Sequence, residues 1–418
     1  MFLKKYNTSE NFELKLLFIS LLILPFQTFF GILILLFLTY KTWRNNYQII
    51  INNYLSYSLI AVTILMMISS IFAHNSGEAW LGMIHFLPFF IMFLGIRTII
   101  TNYNQLFFII LPIIFNSVII VFLGIGEVKL GWQTPDLFFK LSGWRLIAYG
   151  IPEGRMSSVF PHANPLTLYL TTALIFTVAL LIHRHHKTKF NKIDLGLIFT
   201  VIINLIGLIL TSSRNGWIIT FISFIGFAIY LRWYLILQFL TLGGVIINWA
   251  SFGNLPAQNL FRKIVPSFIW LRLSDQMYTD RPLPTLRTTQ WHFCLDLITQ
   301  RPFFGWGLRN FSILYEEKTV TYLGHPHNLF LMISAETGLI NLLLMMFIIG
   351  KISWQGIMTL ISFKSSQDQG IILFSYLMVF LSFIVFNLFD VSIFDLRLNL
   401  LGWIILAAIS GVREKDVI

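Results

Sequence analysis

Charged residues and cysteine are scarce in this chain of 418 residues. Asp, Glu, Lys and Arg make up 11% of it, compared with about 25% in typical soluble domains. The single cysteine, Cys294, excludes an intramolecular disulfide and a zinc site built from thiolates. The sequence also lacks an Asp-x-Asp pair and a phosphate-binding loop of the Gly-x-x-x-x-Gly-Lys-Ser/Thr type. These absences argue against an ATP-driven motor and against a nucleotide-sugar transferase that uses a divalent ion.

Apolar residues, in contrast, extend from end to end. Hydrophobic residues make up 56% of the chain, 42 of them are Phe, and the mean hydropathy is +0.77. A helix needs about 20 apolar residues to cross the roughly 30 Å of hydrocarbon in a bilayer. Runs that qualify or nearly do lie at residues 55–72, 81–100, 106–125, 166–182, 195–210, 217–231, 234–250, 328–349, 371–389 and 396–409. The sequence therefore predicts an all-α, polytopic membrane helix bundle that forms a single transmembrane domain over residues 1–418.

The run at residues 14–40 is too long for one ordinary span and contains Pro25 and Gln27. It is either two short spans with a tight turn or one long kinked helix. If it crosses twice, fifteen Lys and Arg residues collect on one side, whereas the short loops of the other side hold only Arg214 and Arg397. Cytoplasmic flanks are rich in Lys and Arg. The asymmetry therefore predicts about 12 transmembrane helices with both termini in the cytoplasm.

Two long loops then face the periplasm, at residues 126–165 and 251–327. The larger one, predicted to be partly helical, carries eight basic residues against five acidic ones. Long loops translocate regardless of charge, so this excess does not contradict the topology. It needs another explanation, and an anionic ligand would supply one.

Three arginines are candidates for binding such an anion. Arg214 lies in the short turn of TSSRNGW, between two predicted spans. The alternative is an interfacial arginine whose guanidinium reaches lipid headgroups, but the planar guanidinium also matches phosphate oxygens two at a time. Arg287, in RTTQW, and Arg309, in GWGLRNF, lie in the large loop. The sequence around them is less distinctive, so either of them could be the second arginine that binds the anion beside Arg214.

Two histidines precede the predicted span at residues 328–349, in the stretch HPHN. His325 and His327 are two residues apart and cannot share one face of a helix, and no third ligand is close in sequence, so no metal is predicted. An imidazole titrates near neutrality, which suits a general base. Asn328 is a plausible helix cap. Glu336, about two turns into the predicted span, either supports the site or is a buried structural acid.

The segment that begins at Trp291 has the pattern of an amphipathic helix lying on the membrane. Several of its residues are apolar, and Pro302 would stop the helix. We interpret its aromatic residues as interfacial anchors.

These residues resemble motifs of the O-antigen ligase and polymerase superfamily of bacterial envelope glycan assembly. His327 and Asn328, followed after nine residues by Gly338, are similar to a ligase-type signature. The chain departs from that signature at Asn341, where the family has Gly, Thr or Tyr. The resemblance also selects His327 over His325 as the base.

Two further stretches carry the resemblance. The turn around Arg214 is similar to the family's Ser-Arg-Gly turn, with Asn215 inserted before the glycine. Arg287 and Trp291, followed by a Pro-Phe-x-Gly-x-Gly segment that ends at Gly307, resemble the family's large periplasmic loop. The resemblance covers sequence detail from about residue 160 onward.

The resemblance implies a glycosyltransferase of the bacterial inner membrane with its active face in the periplasm. The donor would be a glycan on undecaprenyl diphosphate, and the acceptor hydroxyl would belong to lipid A-core in a ligase or to another glycan repeat in a polymerase. Two arginines would hold the diphosphate and a histidine would take the hydroxyl proton, with membrane lipid as surroundings and without a metal, another cofactor or a nucleic-acid partner.

No residue in the sequence separates the ligase from the polymerase. A third possibility is a protein of bicarbonate transport, because one branch of the superfamily was named for inorganic-carbon accumulation. The scarcity of ionisable residues inside the predicted spans argues against it.

Overall fold

The computed structural model describes residues 11–187, 189–277, 282–362 and 367–412. The described residues form helices and connecting loops and contain no strand, in agreement with the predicted all-α class. The prediction that both termini are cytoplasmic rests partly on Lys4, Lys5, Arg413 and Lys415, which lie outside the described residues.

The described residues in the first half of the chain form ten α-helices. They are α1 Asn11–Ile23, α2 Thr28–Ile51, α3 Tyr54–Ile71, α4 Ser76–Gly82, α5 Leu87–Ile96, α6 Phe107–Leu130, α7 Asp136–Ser142, α8 Ala163–Lys187, α9 Lys192–Leu210 and α10 Arg214–Tyr230.

In the second half, the residues that the structure describes form nine more. They are α11 Tyr234–Phe252, α12 Ala257–Ile264, α13 Ser267–Leu273, α14 Arg287–Gln300, α15 Asn310–Thr319, α16 Leu329–Thr337, α17 Leu339–Ser362, α18 Gln367–Asn387 and α19 Leu396–Gly411. Within the large loop of residues 251–327, α12 to α15 contain about half of the residues, in agreement with the prediction that the loop is partly helical.

Eight segments of the described residues are long and apolar enough to cross a membrane. They are Tyr54–Ile71, Ser76–Ile96, Tyr103–Leu130, Ala163–His185, Lys192–Leu210, Tyr234–Phe252, Leu339–Ser362 and Gly370–Asn387. The predicted run at residues 14–40 forms two helices, α1 and α2, separated by a turn. With α10 and α19, which have 17 and 16 residues, these make up the remaining helices in the predicted set of about 12.

Helix α8 is enclosed by its neighbours, with 78% of the residues in its most apolar stretch buried. Its buried threonines are compatible with an apolar interior because their hydroxyls bond to carbonyls one turn back, as Thr172 Oγ1 does to Leu168 O at 2.9 Å. The small side chains also let neighbours approach closely. Gly216 of α10 lies against Thr167, where an added Cβ would overlap the threonine side chain. Helix α8 thus fixes the position at which α10 begins.

The predicted span at residues 328–349 is wrong in one respect, because the chain breaks at Gly338. This residue has φ +85°, and a Cβ there would overlap the carbonyl of Phe303. Leu339 N–H donates to Pro302 O at 2.8 Å. The break separates the short helix α16 from the spanning helix α17, so Glu336 belongs to α16 and not to a span.

The segment that begins at Trp291 does form a helix, α14, but its apolar face is not free to lie on the membrane. The apolar face of α14 packs against α15 and α16 in a small second core that we call the loop core. It consists of Phe293, Cys294, Leu297, Ile298, Phe311, Tyr315 and Ala335. Helix α14 is therefore part of a unit folded around the loop core, and its first residue, Arg287, is held in a defined position.

Candidate functional site

A cavity of about 480 Å³ opens between the bundle and the large loop. Four of its lining residues are arginines, namely Arg155, Arg214, Arg272 and Arg287. Asp275 is the only carboxylate among the described residues that line it. The excess of positive charge predicts an anionic ligand, because the field of several guanidinium groups in a concave site adds up.

The cavity brings together predicted site residues that are far apart in the chain. Arg214, Arg287 and His327 all line it. Arg214 is the first residue of α10 and Arg287 is the first residue of α14. Two helix N-termini, each with the positive end of a helix dipole, therefore face the same space. Such ends bind anions such as phosphate.

The turn before Arg214 has a specific local structure. Ser212 has φ +49°, and the Ser213 side chain caps α10 by accepting from Gly216 N–H at 3.5 Å. The Arg214 guanidinium lies 3.4 Å from a carboxylate oxygen of Asp275, with both side chains partly exposed. An exposed ion pair of this kind contributes roughly 0–1 kcal/mol, so an incoming anion can replace the carboxylate at little cost.

Two arginines that the sequence did not single out hold this turn. Arg155 Nε donates to Thr211 O at 2.9 Å, and the buried Arg272 Nε donates to Ser212 O at 2.8 Å. Both carbonyls follow the C-terminal end of α9, where positive charge is favourable. No local pattern marks these arginines, because one comes from the first long loop and the other from α13.

His327 lines the cavity in a strained conformation, with φ +52°. Its Nδ1 lies 3.2 Å from Asp390 Oδ1. A carboxylate only accepts, so the hydrogen bond places a proton on Nδ1 and leaves the lone pair of the neutral imidazole on Nε2. Strained non-glycine residues of this kind cluster at functional sites. Geometry thus prepares His327 to accept a proton at Nε2.

His325 is placed differently. It is not one of the residues that line the arginine cavity. Its Nδ1 accepts from the His327 backbone N–H at 3.2 Å, and its ring stacks on Phe394. Burial, with the nearby His327 charge, lowers the pKa of His325 to about 4. His325 is therefore neutral at physiological pH and supports the backbone of His327.

Asp390, which follows α18, is a further site residue that no sequence motif marks. It is buried and accepts from Asn164 Nδ2 at 2.6 Å and from Val391 N–H at 2.9 Å. Burial alone would raise the pKa of Asp390, but the hydrogen bond with His327, the charges of both imidazoles and the Asn164 amide together hold it below its usual range. Asp390 lies 63 residues after His327, so only its rarity as a carboxylate in an apolar region could have suggested it.

Asp390 also corrects the expectation that the histidines have no third ligand near them. Ligand atoms of His325, His327 and Asp390 all lie within 4.8 Å of one another, a set that could hold a metal ion. A metal bound there would have to replace the hydrogen bond between His327 and Asp390. The absence of a metal from the mechanism stays a prediction.

Two predicted supporting residues hold the segment that carries the histidines. Trp291 Nε1 donates to Pro326 O at 3.0 Å. Asn328 caps α16, with its side chain accepting from Leu331 N–H at 3.0 Å, which confirms the predicted cap. Both ends of the short segment around His327 are therefore anchored.

Two other predicted residues lie outside the cavity. Arg309 does not line it and instead lies 3.2 Å from Glu78 in an ion pair. Glu336 is buried beneath the loop core, where its carboxyl accepts from Phe311 N–H at 3.2 Å. Burial raises the pKa of Glu336 to about 8. Of the two alternatives for Glu336, the structure favours the buried structural acid.

Comparison with known proteins gives one family match. Residues 199–346 match the family model described as O-antigen ligase. The matched range contains Arg214, Arg287 and His327, whereas Arg155, Asn164 and Asp390 lie outside it. A search of curated proteins gave no significant match.

Proposed function

We propose, with the support of the match of residues 199–346 to the O-antigen ligase family model, that the chain belongs to the O-antigen ligase and polymerase superfamily. We propose further that it moves a glycan from undecaprenyl diphosphate to an acceptor hydroxyl on the periplasmic face of the inner membrane. One observation carries the proposal. Arg214, Arg287 and His327, each found in a motif of the family, line a single cavity.

The diphosphate of the donor binds between the N-termini of α10 and α14. Arg214 and Arg287 contact its oxygens, and Arg155 and Arg272 hold the Arg214 turn in place. Negative charge grows on the diphosphate as its bond to the sugar breaks. Preorganised donors aimed at such a charge lower the barrier, and loss of one donor costs about 3–4 kcal/mol in a site shielded from water.

His327 acts as the general base. Its Nε2 takes the proton of the acceptor hydroxyl while the hydroxyl oxygen forms a bond to the anomeric carbon of the donor sugar. The bond between that carbon and the diphosphate oxygen breaks, and undecaprenyl diphosphate leaves with the bonding electrons. Asp390 stabilises the imidazolium that forms, and the proton passes on to solvent.

This chemistry needs no nucleotide and no metal. The diphosphate ester is already activated in the cytoplasm, so an enzyme on the far side of the membrane has no need of ATP. The four guanidinium groups supply the positive charge that a divalent ion provides in other phosphate-dependent transferases.

We propose lipid A-core as the acceptor, which makes the protein an O-antigen ligase. The histidine–asparagine–glycine signature is of the ligase type, and a polymerase that uses the same donor is the alternative. Glycan analysis of a deletion strain separates them. Loss of all capped lipopolysaccharide supports the ligase, whereas a single attached repeat supports the polymerase.

The decisive experiment measures glycan transfer in proteoliposomes with the His327→Ala variant. We expect activity to fall by about 10²–10⁴-fold, the usual contribution of a general base, with normal membrane insertion. His292→Ala is the matched control, because His292 lies exposed on α14 of the same loop and should be fully active. Retention of transfer by His327→Ala would remove the imidazole from the mechanism.

A further inference from the structure

Asn164, near the start of α8, joins the two halves of the site through both ends of its amide. Its Oδ1 accepts from Arg155 Nη2 and from Ser213 Oγ, each at 3.1 Å. Its Nδ2 donates to Asp390 Oδ2 at 2.6 Å. These partners fix the orientation of the amide, because a reversed amide would present its oxygen to a carboxylate and its N–H groups to the Arg155 guanidinium, which only donates.

The contacts form a continuous path from the base to the anion-binding turn. At one end His327 Nδ1 bonds to Asp390, and Asp390 bonds to Asn164. At the other end Asn164 bonds to Ser213, whose side chain caps α10 immediately before Arg214. The distance between the proton acceptor and the diphosphate contact is therefore set through one amide group.

Asn164 is also suited to this task by where it lies. It belongs to α8, the most deeply buried of the spanning segments, and it reaches residues from α18–α19, the α9–α10 turn and the first long loop. Few side chains could replace it. An amide offers a donor and an acceptor on one short stem, whereas aspartate offers acceptors only and leucine offers neither.

We propose that Asn164 is a positioning residue that holds the His327–Asp390 pair in register with the Arg155–Ser213–Arg214 turn. The proposal rests on the proposed function, because it assigns Asn164 to the same reaction. Misplacement of catalytic groups by about 1 Å lowers rates roughly 10²-fold. Asn164→Ala should therefore reduce the turnover number about 10²-fold.

Asn164→Asp gives a signature that a merely structural role would not produce. A carboxyl at position 164 would lie about as close to Asp390 as the amide does, 2.6 Å, and two carboxyls so close share one proton, as in other carboxyl dyads. While the proton is present, its O–H replaces the amide donor and the link persists. When the proton leaves at higher pH, the two carboxylates repel and the link breaks.

The expected result is a new alkaline limb in the pH profile. At low pH Asn164→Asp should transfer at close to the wild-type rate. As pH rises above the upper pKa of the new pair, the ratio of variant to wild-type activity should fall about tenfold per pH unit, toward the level of Asn164→Ala. Arg155, Asp390 and His327 are the charged or titratable groups that face this position, and they are the same in both proteins.

Asn204→Ala is the matched control. Asn204 of α9 is a buried amide that links two spans by donating to Ser117 Oγ at 3.0 Å, away from the cavity. It should lower thermal stability without changing the turnover number.

The outcomes separate the two proposals. If the wild-type protein transfers no glycan, the proposed function is wrong. Given an active wild type, a turnover number for Asn164→Ala within about threefold of the wild type overturns the positioning role. If Asn164→Ala does not fold, a pH-independent activity ratio for Asn164→Asp overturns it just as well.

Discussion

Asp390→Asn tests the geometry around the base, because it removes one charge and keeps the shape of the side chain. Asn164 Nδ2 faces one oxygen of Asp390, whereas Val391 N–H and His327 Nδ1 face the other. If the new amide keeps its oxygen toward Val391 and His327, the link to Asn164 breaks and the negative charge beside the base is lost. If it keeps its oxygen toward Asn164, its nitrogen faces His327 Nδ1 as a donor. His327 would have to accept at Nδ1 and carry its proton on Nε2, which leaves no lone pair toward the acceptor hydroxyl.

The size of the effect follows from two losses. In the wild-type protein the imidazolium that forms during transfer lies 3.2 Å from the carboxylate. Unit charges about 4 Å apart interact by about 4 kcal/mol at an effective dielectric constant of 20, and partial exposure of His327 reduces this to ~3 kcal/mol, or about 10²-fold in rate. The wrong tautomer adds to this loss, and in serine-protease triads a comparable change lowers kcat about 10⁴-fold. We expect a loss of 10²–10⁴-fold.

The assay measures kcat and the donor KM separately in proteoliposomes. Asp390 does not contact the diphosphate in our proposal, so KM should change little while kcat falls. Asp296→Asn is the control, because Asp296 is an exposed carboxylate paired with Lys318 at 3.4 Å. If Asp390→Asn keeps more than about a tenth of the wild-type kcat, the proposed orientation of His327 is wrong.

Three further predictions concern the arginines, pH and metal. Arg214→Lys should raise the donor KM about tenfold or more because lysine cannot form the two parallel bonds of a guanidinium, whereas Arg309→Ala should leave KM unchanged; equal effects would contradict the assignment. Burial raises the pKa of Glu336 to about 8, so the stability due to its neutral form is complete below the unfolded-state value near 4.5 and is lost as pH rises through 8. In pH-dependent thermal unfolding, Glu336→Gln should match the wild type at pH ~4 and exceed it by several degrees at pH ~9; parallel curves would refute this. Transfer should be insensitive to a strong chelator, and inactivation that Zn²⁺ reverses would instead assign His325, His327 and Asp390 to a metal.

The helices could be predicted from the sequence because each apolar run is continuous. A bilayer-spanning backbone must satisfy its own hydrogen bonds, so long apolar runs such as residues 106–125 have one structure open to them. The sequence left open whether residues 14–40 form two helices with a turn or one kinked helix, because the same residue types occur in turns and in kinks. The break at Gly338 was missed because the polar stretch before it is short and apolar residues continue on both sides. Nothing in the local sequence shows that Gly338 takes a positive φ and lies against Phe303.

The site was predicted unevenly for a related reason. Arg214, Arg287 and His327 lie in motifs and could be singled out one by one. Arg309 has equally suitable chemistry, but the fold directs it to Glu78, which no local pattern reveals. Asp390 lies in no motif, and only its rarity as a carboxylate in an apolar region sets it apart in the sequence.

Hydrophobicity and side-chain chemistry are local properties, so the amino-acid sequence alone identifies a helical membrane protein and shows which guanidinium and imidazole groups are available. Which of these groups meet depends on the tertiary fold. Hydrogen bonds such as those of Asn164 and Asp390 join residues 226 positions apart, and their partners are chosen by how the helices pack.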